Sequence, residues 1–182
     1  MPLRNTADRY GLVAQALHWA VVALILVQVT LAFIAKNLPL SPAKVGVLAN
    51  HKSFGITILA LATIRLLWRL GNPPPAPLPM PRWQLAASRV SHFTLYALLF
   101  AMPLTGWLMS SAANYPVSWF GLAQLPDLVA PDGALKRGLI DVHHLLAKAL
   151  IALALVHVAA ALKHQFIDRD GLLLRMLPGR RP

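Results

Sequence analysis

The sequence predicts an all-α membrane protein, a four-transmembrane-helix bundle with both termini cytoplasmic. Three observations carry that prediction: apolar residues gathered into four long blocks, a scarcity of charge, and an uneven spread of Lys and Arg over the connecting segments. Of 182 residues, 57% are hydrophobic and 13% charged, against roughly 25% charged in ordinary soluble domains. A soluble globule does not fit those values, and a disordered basic tail needs low hydrophobicity rather than apolar blocks. The formal net charge of +11 then belongs at the edges of a bilayer, not on a nucleic-acid-binding face.

Crossing the hydrocarbon core takes about 20 mostly apolar helical residues. The first such block covers about residues 17–35, LHWAVVALILVQVTLAFIA. With no small-residue cleavage site within reach, it reads as a retained span rather than a signal peptide. The second covers about 47–68 and closes with Arg65 and Arg69. Next comes GNPPPAPLPMPRW, in which Pro73, Pro74, Pro75, Pro77, Pro79 and Pro81 forbid helix and enforce an extended link. The third block covers about 90–110. The segment from Ser111 to about Lys136, rich in Pro, Gly and Asn, is the longest irregular stretch, and loops of that length usually form a cap or a site. The fourth block covers about 142–162. Residues 1–182 thus make one domain without internal repeat.

Lys and Arg in the flanks set orientation. Arg4, Arg9, Arg65, Arg69, Arg82, Arg89, Lys163, Arg169, Arg175, Arg180 and Arg181 fall on the side of the termini. Lys36, Lys44, Lys52, Lys136 and Arg137 fall on the other, with Lys148 inside the fourth span. Eleven against five places both termini in the cytoplasm, and much of the positive charge meets anionic lipid headgroups.

The chain has no cysteine, and its six acids are all Asp, which excludes disulfides, thiolate metal sites and Glu-based metallopeptidase helices. The seven histidines remain: His18, His51, His92, His143, His144, His157 and His164 lie within or at the ends of the spans. Ionisable residues there are costly and usually functional, although any single one also serves as a hydrogen-bonding contact between helices. His143 and His157 are 14 residues apart, nearly four turns and roughly 21 Å of rise, so they share one helix face at two depths. Direction of travel puts His18 level with His157 and His51 level with His143. Facing imidazole pairs are what six-coordinate haem iron takes. Zinc wants three or four ligands at one level, and a proton relay normally recruits buried carboxylates, which the spans lack. Small residues such as Gly55 and Gly106 leave room for a flat macrocycle or simply for close helix packing. Lys52, Arg65 and Arg69 are candidate partners for carboxylates at the interface, or snorkelling residues.

These residues resemble the bacterial cytochrome b561 family of four-helix, di-haem membrane proteins, most closely its superoxide:ubiquinone oxidoreductases. The matching pieces are ALHWAVV, NHKSFGI, RLLWRL before the proline-rich link, SHFTLYALLFAMPLTGW, DVHHLLAKALIALALVHVAAALKHQF and LLRMLP. The resemblance implies two haem b groups, one held through its iron by His18 and His157 on the cytoplasmic side, the other by His51 and His143 on the periplasmic side. It implies a bacterial inner-membrane location and ubiquinone as electron acceptor near the cytoplasmic end, beside His164. The family's basic residue in the link is a Lys. This link has none, so Arg82 is the stand-in. His92 matches a family histidine that is not an axial ligand, whereas His144 and Lys148 take no role from the resemblance.

The expected activity is therefore that of an oxidoreductase carrying electrons from superoxide, or another small periplasmic donor, to ubiquinone. The five outer cations would draw in an anion. The alternatives are a cytochrome b subunit linking a periplasmic dehydrogenase or hydrogenase, its protein redox partner, to the quinone pool, and a haem-free helical transporter or scaffold.

Overall fold

The computed structural model describes residues 2–179; Arg180 and Arg181, counted among the inner cations, lie outside them. Four long helices carry the four apolar blocks: α1 (Leu12–Asn37), α2 (Pro42–Gly71), α3 (Arg82–Ala112) and α4 (Gly133–Lys163). Each is long and apolar enough to cross a membrane. Each also runs several residues past its apolar block, because a helix keeps its own backbone satisfied and is not obliged to end at the hydrocarbon edge.

The helix ends follow local chemistry. α2 starts with Pro42, whose missing N–H costs nothing there, while the Ser41 hydroxyl accepts from the Lys44 amide at 3.3 Å. α4 is capped by Asp132, whose carboxylate accepts from the Ala134 and Leu135 amides at 2.7 and 3.1 Å. α3 begins directly after Pro81, and the link before it is free of regular structure.

α1 packs along α2, α2 along α3 and α3 along α4, whereas α4 stands off from α1 and α2. The buried cluster of Val21, Ile58, Ala62 and Leu99, with Leu24, Ile25, Leu61 and Phe100 against it, joins α1, α2 and α3. Most other apolar side chains point outward, as lipid-facing residues do.

The long segment between α3 and α4 is shorter than its irregular composition suggests, and ordered. α3 continues to Ala112 and α4 begins at Gly133, leaving a two-stranded hairpin, β1 (Ser118–Trp119) and β2 (Ala123–Gln124), packed against the first half of α2. Its turn holds Phe120 and Gly121 at φ of 51° and 75°, the left-handed region that only glycine enters freely. The Ser53 hydroxyl accepts from the Phe120 amide and lies 3.0 Å from the Ser118 carbonyl. Trp119 donates to Thr57, and Phe120 meets Phe54 edge to face.

At the opposite end, Arg175 fastens three segments. Only 7% exposed, its guanidinium donates to the carbonyls of Asp8, Ala7 and Ala76. The N-terminal segment, the proline-rich link and the C-terminal segment therefore lie on one side.

Candidate functional site

The open side of α4 is bridged by histidines. His18 of α1 faces His157 with ring centroids 6.5 Å apart, and His51 of α2 faces His143 at 6.4 Å. The pairing by depth expected from helix direction is thus the pairing in space. A metal holding two imidazoles at bonds of about 2.0 Å puts the ring centroids about 6.3 Å apart, so both pairs have the separation that axial ligation requires. His92 approaches His157 to 5.4 Å, short of the separation two imidazoles need on opposite faces of a macrocycle; it is a ring packed against one member of a pair.

The surroundings favour the same use. At His18 and His51 the buried Nδ1 atoms have no hydrogen-bond partner among the described residues, so no protein group there fixes the tautomer. His143 is oriented by Thr105. That hydroxyl has one proton and donates it to the Met102 carbonyl at 2.9 Å, so toward His143 Nδ1, 3.0 Å away, it can only accept. Nδ1 then carries the hydrogen, and the Nε2 lone pair is left for a metal. Gly106 makes the room: a Cβ there would lie 3.2 Å from His143 Cε1. On the partner side, Gln28 of α1 donates to the His51 carbonyl at 2.9 Å, and a Cβ on Gly55 would lie 3.1 Å from the same amide. The stand-off of α4, the separations and the donor set fit a flat, axially ligated macrocycle at each level.

Not every cation expected at the rim is free to serve there. Lys52 donates to the Ser110 hydroxyl at 3.2 Å and the Pro116 carbonyl at 3.1 Å. Arg65 and Arg69 stack near the Tyr96 ring at 5.6 and 6.0 Å, where a cation meets the negative ring face. His144 and Lys148 are exposed on the outward side of α4 and join neither pair.

His164 opens a π-turn, His164–Asp168, at the end of α4. Its Nδ1 lies 2.5 Å from Asp170 Oδ2 and 3.2 Å from Asp168 Oδ2. Arg82 is the first residue of α3, and among the described residues no hydrogen bond or ion pair joins it to His164. The two aspartates were missed by sequence reasoning. The available signal was the HQFIDRD spacing, which returns a carboxylate to the imidazole after one wide turn. Beside them an open cleft of about 510 Å³ is lined by Gln165, Phe166, Arg169, Asp170, Gly171 and Leu174.

A four-span bundle with imidazole pairs at two levels along one helix defines a membrane cytochrome scaffold. The model of the family described as prokaryotic cytochrome b561 matches residues 9–179. The chain belongs to this family, whose members are haem b-binding electron-transfer proteins of the membrane. It is 39% identical to cytochrome b561 homolog 2 of Escherichia coli (strain K12) over 97% of this chain and 95% of that protein. It is 32% identical to cytochrome b561 homolog 1 of the same strain, over 72% and 75%, and 29% identical to the probable superoxide oxidase CybB of Yersinia pestis, over 95% and 98%.

Proposed function

We propose that the chain is a di-haem b cytochrome of the bacterial inner membrane, with both termini cytoplasmic, that carries electrons from superoxide in the periplasm to ubiquinone. His18 and His157 hold one haem, His51 and His143 the other. The observation that carries this reading is the pair of centroid separations, 6.5 and 6.4 Å, at two depths of α4. When bound, haem b would supply reversible one-electron chemistry, which suits electron transfer. Of the chain's own residues, Thr105 would hold the His143 ring with Nε2 free for the iron.

For the donor, support comes from the name of the Yersinia relative and from the cations at the hairpin end. Lys52 is tied there beside His51, and Lys36, Lys44, Lys136 and Arg137 sit at the same end of the helices. A positive mouth raises the encounter rate of a small anion. For the acceptor, support comes from the cleft next to His164 at the other end, with Arg82 at the start of α3 as a second polar group on that side. Stopped-flow mixing of the oxidised, haem-loaded protein with superoxide tests the reading. Haem reduction that slows as ionic strength rises is expected; no reduction by superoxide, with rapid reduction by a co-purifying periplasmic subunit, would replace it with the electron-transfer-subunit reading.

A further inference from the structure

The pairing of His164 with Asp170 has the form of a proton-donating unit. Arg169 is held at φ 54° and Gly171 at φ 75°, a left-handed turn that folds Asp170 back beneath the π-turn; a non-glycine residue in that region marks stored strain. Asp170 divides its oxygens. Oδ1 accepts from the Leu172 amide at 2.9 Å, and Oδ2 faces His164 Nδ1 at 2.5 Å. Asp168 is the more distant acid, and the Lys163 ammonium holds it. Asp170 also lines the open cleft, whose Gln165 has a buried amide oxygen with no partner among the described residues.

A carboxylate is acceptor-only, so Nδ1 must carry a hydrogen. Nε2 is then the only imidazole position able to exchange a proton with a substrate. We propose that Asp170 is a positioning residue that commits His164 to proton transfer at Nε2, making His164 the proton donor to a quinone carbonyl oxygen. This rests on the quinone reading of His164 above. Reduction of one quinone takes two electrons, delivered singly through the chain from two donor molecules, and two protons. The imidazolium gives its Nε2 proton to one quinone oxygen: the O–H bond forms as the N–H bond breaks, and the neutral ring keeps its Nδ1–H on Asp170. Water supplies the second proton and reloads Nε2.

The discriminating variant is Asp170→Asn. Its amide oxygen can keep the Leu172 amide, which turns the NH₂ group toward His164 Nδ1. That nitrogen must now accept, so the hydrogen moves to Nε2. The neutral ring still donates a hydrogen bond to quinone but has no proton to give away. Pre-reduced, haem-loaded protein is mixed with short-chain ubiquinone and haem reoxidation is followed. Asp170→Asn is expected to lower the maximal rate about tenfold or more, with half-saturating quinone within about twofold of wild type and an unchanged haem spectrum. Asp168→Asn is expected to stay near wild type. If Asp170→Asn reoxidises at the wild-type rate while His164→Ala is slow, the proposal is overturned and the quinone reading stands. If His164→Ala is also as fast as wild type, both fall. Should Asp170→Asn lose haem, the comparison moves to Asp170→Glu against Asp170→Gln, where only the acid is expected to sustain the rate.

Discussion

Thr105 shows how one hydroxyl determines what an imidazole can do. With its proton on the Met102 carbonyl, it accepts from His143 Nδ1 and leaves the Nε2 lone pair free, as the proposed haem ligation needs. Thr105→Val is expected to leave the helix intact and weaken retention of one haem about 10- to 100-fold, the usual cost of losing such support, with Thr105→Ser close to wild type. Haem per chain after a graded imidazole wash measures this. The four paired histidines were legible in the sequence, since spacing along α4 and direction of travel are enough to set depth. Thr105, Gln28 and Asp170 were not, because Thr and Gln inside a span and Asp beyond a helix end have many uses, and only side-chain geometry reveals which ring nitrogen or carbonyl they face. Lys52 was legible as a cation beside His51 but not as a tether for the hairpin, which depends on where the loop carries Pro116.

Helix starts and loop ties decide how firmly α4 holds its histidines in place. At the start of α4, hydrogen bonds from the Leu135 and Ala134 amides hold the Asp132 carboxyl below its ordinary value. A carboxyl lowered in the folded state stabilises the fold fully above its unfolded pKa of about 3.9 and loses that contribution as pH falls through the folded value. The thermal midpoint of wild type is therefore expected to fall more steeply below about pH 4 than that of Asp132→Asn, which caps without titrating; equal slopes in a pH series of unfolding scans would contradict it. The hairpin between α3 and α4 was the least legible element. Its strands are two residues each, too short for any alternation of apolar and polar positions, and what fixes it is Ser53 and Thr57 on α2, far away in sequence.

Taken as a whole, the molecule is a thin bundle fastened at both ends, with its imidazoles across the open side of α4. Four apolar blocks and the proline-rich link made this architecture readable from composition alone, since bilayer thickness fixes the length of a span. The fastening at the terminal end was not readable: Arg175 looks like any other flanking cation, yet its buried guanidinium carries the carbonyls of Ala7, Asp8 and Ala76. Arg175→Ala leaves these unpaired and is expected to destabilise the protein by about 3 kcal/mol. Arg175→Lys should rescue little, because an ammonium lacks the fixed fork that reaches three acceptors. Thermal unfolding in detergent checks both.

The central claim is that one helix presents two axial ligands at separate depths, each to a different partner. The most direct measurement is haem quantified per chain, with a redox-difference spectrum, for wild type and for single Ala variants of His18, His51, His92, His143 and His157. The account predicts two haem b per wild-type chain, loss of one and the same haem in His18→Ala and His157→Ala, loss of the other in His51→Ala and His143→Ala, and both retained in His92→Ala. One haem per wild-type chain, or losses that do not follow these pairs, would contradict it.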